Sequence, residues 1–213
     1  MVDIAIDDLD ALLFDLGGVI VELDYSRTIE QLSLLIGFDA GQVYTQQKQT
    51  PLFTGYETGT ISTAEFRKQL KSQLNFDAPD DAIDAAWNAL ILSFPPERVA
   101  LIRQLRQRLP VYLLSNNNEL HLARCYELFE ETFGRALGTL DNQFERAYYS
   151  HQMCDRKPNA SIYQRVIDEQ GLDPARTLFV EDTAHNIVGA EAVGLQTLHI
   201  TDGLRIEDID WAI

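Results

Sequence analysis

Asp15 ends the apolar run at residues 12–14 and stands just before a glycine pair, in LLFDLGGVI (12–20). Three more segments repeat that design. Ser115 follows the apolar residues 111–114, Lys157 follows the segment RAYYS (146–150), and Glu181 and Asp182 follow residues 178–180. A carboxylate beside a backbone that glycine lets approach closely can attack phosphorus and form an acyl phosphate that water later hydrolyses. Three neighbouring carboxylates repel one another unless a divalent cation lies between them. Magnesium fits that need, because it takes one or two carboxylates together with phosphate oxygens and water. Lys157 then supplies a fixed positive charge, and Ser115 with the N–H groups of its turn holds the remaining phosphate oxygens.

Those residues need a frame that brings strand ends together. The runs at 12–14, 111–114, 146–150, 178–180 and 196–200 are mostly continuous in hydrophobicity, as suits strands buried on both faces. Between them, residues 96–108, 159–171 and 184–194 carry helical spacing, with glycines closing the last two. This alternation predicts an α/β, doubly wound, three-layer Rossmann-like core with a parallel sheet, whose ligands bind at the carboxyl ends of the strands. Residues 25–95 differ: three amphipathic helical stretches follow one another without a strand, the last running from Asp80 to Phe94. We therefore expect a core domain over 1–24 and 96–213 and an inserted small α-helical cap over 25–95.

The chain has 213 residues, 46% of them hydrophobic and 23% charged, which describes an ordinary globular protein. Its formal net charge of −16 disfavours nucleic acid and anionic lipid as partners. No apolar run is long enough to span a bilayer, and the acidic N-terminus lacks a secretion signal, so the expected location is cytoplasmic. Cys125 and Cys154 fit no metal or redox spacing. The expected partner is a small phosphorylated molecule, and the expected assembly a monomer or weak homodimer.

FDLGGVIVELD, VYLLSNNN, RKPNASIY and FVEDTAHNIVGAEAVG resemble, in this order, the four motifs of the haloacid dehalogenase-like hydrolase superfamily. The subgroup they resemble is that of sugar-1-phosphate phosphatases. The resemblance implies Asp15 as nucleophile and metal ligand, the Gly17 carbonyl and Asp182 as further ligands of Mg²⁺, and Ser115 and Asn116 as phosphate holders. It implies Lys157 as the charge neutraliser, with Glu181 and Asn186 orienting the metal's waters. The implied activity is a phosphatase working through an aspartyl-phosphate on Asp15.

Gly17 departs from that pattern, since phosphatases of the family carry a second aspartate there as general acid and base. Such help is worth about 10²–10⁴ in rate. Three outcomes stand open: a substrate with a good leaving group, another proton donor among His185, Glu57 and Tyr56, or lost catalysis and a binding role. A haloacid dehalogenase, whose halide leaves without a proton, is the rival enzyme, although the pair Glu181 and Asp182 speaks against it. For substrate selection, PLFTGYETGTIS (51–62) reads as a loop in which Tyr56 and Glu57 bond sugar hydroxyls, or as a tight turn between helices. Leu32, Leu35, Ile36, Phe66 and Leu70 read as the cap's own core.

Overall fold

The computed structural model describes residues 3–42, 44, 50–201 and 203–212. Along the chain lie β1 (Ala11–Phe14), β2 (Glu22–Leu23), α1 (Tyr25–Ile36), α2 (Pro51–Glu57), α3 (Thr63–Leu74), α4 (Asp80–Asn88) and β3 (Ile91–Ser93). Then come α5 (Pro96–Leu105), β4 (Val111–Ser115), α6 (Glu119–Phe133), β5 (Arg146–Tyr149), α7 (Ser150–Met153), α8 (Ala160–Gln170), β6 (Thr177–Glu181), α9 (Ala184–Glu191) and β7 (Gln196–His199).

All four side chains of β1 are buried, and so are all five of β4 and of β6. These strands have no polar face because helices cover both sides. Leu12 and Phe14 point into one apolar cluster, shared with Ile102 and Leu105 of α5 and Phe129 of α6. Ala11 and Leu13 point into another, shared with Ile162 and Val166 of α8 and Ala190 of α9. The sheet is parallel, in the order β5-β4-β1-β6-β7. The chain winds outward from β1 to β4 and β5, then returns to the other side of β1 for β6 and β7. The switch point therefore falls between β1 and β6, where such a sheet opens a crevice at its carboxyl edge.

Helices α1–α4 carry their own apolar cluster, with Leu32, Phe53, Phe66, Leu70 and Trp87 at its centre and Leu35 and Ile36 packed against it. Asp24 caps α1 by accepting from the Ser26 N–H at 3.0 Å, and Gly37 ends it in the left-handed conformation. This helical segment joins the core through β2 and β3, which pair antiparallel, Glu22 opposite Ser93 and Leu23 opposite Ile91.

Three expectations are corrected here. The helix read from Asp80 through Phe94 stops at Asn88, and Ile91–Ser93 is a strand. The run LILSF is too short and too apolar to continue an amphipathic helix, and it finds a backbone partner in β2. Within 51–62, Pro51–Glu57 is a helix, started by Pro51 at its first turn, and only the residues after it form a turn. The segment 184–194, read as one helix, is helical over Ala184–Glu191.

Candidate active site

The carboxyl ends of β1, β4 and β6 deliver Asp15, Ser115 and Asp182 to one cavity of about 120 Å³, which Lys157, Gly17, Asn116 and Asn186 also line. Parallel pairing sets this convergence. Phe14 is in register with Val180 and Leu113, and the Asp15 N–H donates to the Val180 carbonyl at 2.9 Å. After Asp15 the chain turns sharply: Ile20 and Val21 both donate to the Leu16 carbonyl, and Gly18 donates to the Val21 carbonyl. Gly18 has φ +74°, and a Cβ there would lie 2.2 Å from Oδ2 of Asp182. Only glycine lets this turn lie against that carboxylate.

Lys157 is fully buried. Its Nζ lies 2.9 Å from Asp15 Oδ1 and 2.6 Å from Glu181 Oε2. Glu181 Oε1 accepts from the N–H groups of Asp182 and Thr183, and its Oε2 also accepts from Asn186 Nδ2 at 3.1 Å. Burial raises the Glu181 carboxyl, but Lys157 and these hydrogen bonds outweigh it and hold the group below its ordinary range. Burial and the repulsion of Glu181 outweigh Lys157 at Asp15 and push its carboxyl well up. Burial, then Glu181, push Asp182 up to about 6. Burial alone would lower the Lys157 ammonium, but Asp15 and Glu181 raise it overall, so it is charged.

The residues present suit a hard cation. Acidic oxygens of Asp15, Glu181 and Asp182 lie within 4.8 Å of one another, against a single lysine. An all-oxygen donor set with surplus negative charge matches magnesium-type coordination, in which one or two carboxylates bind directly and waters fill the remaining positions. Asn186 adds a second indication: it is buried, and its Oδ1 has no hydrogen-bond partner. A buried acceptor without a donor is costly, and a metal-bound water would satisfy it. Thr183 Oγ1 donates to Asp182 Oδ1 at 2.9 Å and fixes that carboxylate's orientation.

Two other expected residues have side chains engaged within the protein. The Asn116 side chain is held by backbone at the cavity's edge: its Nδ2 donates to the Lys157 carbonyl and its Oδ1 accepts from the Lys157 N–H, both at 2.9 Å. Its amide matches a peptide edge and fastens the lysine's backbone. Tyr56 is 2% exposed and lies stacked on Phe66, its hydroxyl between Thr63 Oγ1 and the Leu120 N–H, away from the cavity. Its ring completes the helical segment's apolar cluster. Glu57 does line the cavity, with its Oε2 3.1 Å from Arg156 Nη1.

Sequence reasoning gave no site role to Arg156, Tyr25 and Tyr44, and read Trp87 and His121 as structural; all five line the cavity. Arg156 stood in view beside Lys157, but nothing local told which carboxylate it would meet. His121 stacks on Trp87, with Nε2 3.1 Å from the Trp87 carbonyl and Nδ1 3.0 Å from Asn118 Nδ2. Burial lowers it to about 4, so it is neutral.

A family model for haloacid dehalogenase-like hydrolases matches residues 9–194. A D-ribitol-5-phosphate phosphatase of Bacteroides thetaiotaomicron is 29% identical over 192 residues, covering 90% of this chain and 92% of the relative. A sesquiterpene phosphatase of Aspergillus oryzae is 25% identical over 207 residues, covering 91% of each. A solved HAD family enzyme of Bacteroides thetaiotaomicron, an aspartate-to-alanine variant in complex with magnesium and inorganic phosphate, superposes with a TM-score of 0.85 at 31% identity. That match covers 92% of this chain and 95% of the other. An L-2-haloacid dehalogenase from Xanthobacter autotrophicus, at TM-score 0.60 and 19% identity, shares the fold alone. The agreement runs through every strand end that feeds the cavity, and by it this chain belongs to the haloacid dehalogenase-like hydrolase family.

Proposed function

We propose that this protein is a magnesium-dependent phosphatase of a small phosphorylated metabolite, a sugar or polyol phosphate by its relatives, with Asp15 as the nucleophile. The observation that carries the proposal is the placement of Lys157: one buried ammonium bridges the carboxylate that would attack and the Glu181 that anchors the metal loop. Two relatives covering about nine-tenths of this chain are named as phosphatases, and one related structure holds magnesium with phosphate.

Asp15, Asp182 and the Gly17 carbonyl would hold the ion, which supplies charge neutralisation at the phosphoryl oxygens. Lys157 holds Asp15 in place for in-line attack and offsets its charge as the phosphoryl group arrives. Ser115 and the N–H groups of its turn bind phosphoryl oxygens. Glu181 fixes the backbone of Asp182 and Thr183, and Asn186 orients a metal water. Residues 25–95 form a cap that excludes water from the cavity and selects the leaving group. A dehalogenase is disfavoured, because displacement of halide needs no divalent cation and would leave Asp15, Glu181 and Asp182 offset by Lys157 alone.

The test is a panel of phosphorylated metabolites assayed with Mg²⁺, with excess EDTA, and with the Asp15→Asn variant. Turnover that needs Mg²⁺ and disappears in the folded variant is expected. Full turnover in EDTA, or in Asp15→Asn, would sink the proposal.

A further inference from the structure

The turn that follows Ser115 is tied to the helical segment by a closed set of hydrogen bonds around His121. Trp87 stands in the last turn of α4, where its ring stacks on Phe53 at 5.5 Å and on the His121 imidazole at 5.0 Å. His121 comes from the first turn of α6. Its Nε2 lies 3.1 Å from the Trp87 carbonyl, which also accepts from Thr28 Oγ1 at 3.0 Å. Its Nδ1 lies 3.0 Å from Asn118 Nδ2, and its backbone N–H donates to Asn118 Oδ1 at 3.0 Å. The Trp87 indole N–H donates to the same Oδ1 at 3.4 Å. A neutral imidazole fits this set: Nε2–H donates to the carbonyl, and Nδ1 accepts from the amide. Trp87 and Asn118 are both buried, so these groups rely on one another for partners.

Asn118 is the last residue of SNNN, the turn whose Ser115 is offered to the phosphoryl group. Ser115, Asn118, His121 and Trp87 all line the one cavity. Within the same turn Asn116 clasps the peptide of Lys157, so a shift of the turn is felt at the lysine as well. From this geometry we infer that His121 is a positioning residue: by holding Asn118 against Trp87 it fixes the turn at Ser115, so that the docked helical segment sets how tightly the phosphoryl group is bound. The inference rests on the phosphatase reading above. Both ring nitrogens are engaged within the protein, so His121 acts through Asn118 rather than on the substrate. A phosphoryl oxygen gains most from donors already in place. A turn released from Trp87 would have to be ordered at each binding event, and affinity would fall by that entropy.

The experiment compares three variants with the parent, well below their melting temperatures, by two measurements. One is the affinity for inorganic phosphate with Mg²⁺, by calorimetric titration; the other is amide hydrogen exchange over residues 115–118. His121→Phe keeps a ring on Trp87 but drops both hydrogen bonds of the imidazole. Asn118→Ser still caps α6 through its hydroxyl but cannot reach His121 Nδ1, and it carries the test should the phenylalanine variant not fold. His121→Gln keeps one donor and one acceptor. We expect phosphate to bind about tenfold more weakly in His121→Phe and Asn118→Ser, the size of one lost hydrogen bond, and within about threefold of the parent in His121→Gln. Exchange should quicken in the first two variants alone. Phosphate affinity or exchange that matches the parent in those two would overturn the inference, whatever their melting temperatures. An equal loss in His121→Gln would overturn it as well, because the ring and not its hydrogen bonds would then be responsible. If exchange responds as expected but the parent neither binds phosphate nor turns over any phosphate ester, it is the phosphatase reading that fails, and the hold of His121 on the turn stands.

Discussion

The Lys157 ammonium lies 2.9 Å from the Asp15 carboxylate and, on its other side, 2.6 Å from that of Glu181. One buried cation therefore serves two elements, the end of β1 and the end of β6. Removing it leaves two buried carboxylates with no cation between them. We expect Lys157→Met to abolish turnover and to destabilise the fold by about 3–5 kcal/mol, as for other broken buried pairs. Adding Glu181→Gln should recover part of that loss. Urea unfolding of the single and double variants checks the coupling, and additive costs would show that the two groups act independently.

The acid that position 17 lacks can be supplied together with the room for it. A Cβ built at Gly17 would lie 2.7 Å from Leu23 Cδ1, the far end of a flexible side chain, and Leu23→Ala clears it. The double variant Gly17→Asp, Leu23→Ala should hydrolyse alkyl phosphates at least about tenfold faster than the parent, a part of the usual acid contribution. Nitrophenyl phosphate should change little. Equal gains on both substrates would mean that the new carboxylate acts otherwise than as an acid.

Gly59 and Gly37 form a natural control pair for docking of the helical segment. Both have positive φ, +66° and +79°, but a Cβ at Gly59 would sit 2.2 Å from the His151 carbonyl oxygen, whereas nothing lies within 4 Å at Gly37. Gly37→Ala should cost only the backbone strain, about 1 kcal/mol. Gly59→Ala adds a collision with backbone that cannot swing aside. It should lower Tm by several degrees more and loosen the contact at Ser150, whose hydroxyl donates to the Glu57 carbonyl at 2.6 Å. Thermal melts of the two variants decide this, and equal shifts would refute the collision.

His121 sets an acid limit on stability. Burial holds its folded pKa near 4, against 6.5 for an ordinary histidine. The unfolded chain therefore binds more protons between those values, and stability falls with falling pH across that window. This stability is fully present above about pH 6.5, and roughly 3 kcal/mol of it is lost by the time pH has fallen to 4. Stability curves from pH 7 to 4 should be visibly flatter in His121→Gln than in the parent. Parallel curves would show that the histidine carries no such burden.

Much of this architecture was legible in the chain. The strand positions could be read because their faces are buried on both sides, and a run such as LLF or LFV has no solvent-facing residue to interrupt it. The helical cluster could be read from the 3.6-residue spacing of Leu32, Phe66 and Leu70. Asp15, Ser115, Lys157 and Asp182 could be placed because a parallel sheet delivers its strand ends to one edge. What stayed hidden depends on partners far along the chain. Nothing near Asn116 says that its amide will clasp the peptide of Lys157, and nothing near Arg156 says that Glu57 will reach it. Ile91–Ser93 reads as the tail of a helix until β2 is known to lie beside it. Tyr56 looked available for a ligand because its neighbours are glycine and polar residues, yet its ring fills a hole against Phe66.

β1 is the middle strand of the sheet, and its two partners are β4 and β6. Emerging from a ribosome, β1 precedes both of its partners, β4 comes next, and β6, which closes its second side, is made long after both. Until β6 is made, residues 11–14 keep one unpaired edge of an apolar strand, a form prone to sticking to other chains. Helices α1–α4 complete their contacts earlier, from neighbours closer along the chain, and can be structured while the sheet is still incomplete. A nascent chain stalled before residue 177 would carry Asp15 without Glu181 and Asp182, and would be a natural client for chaperones.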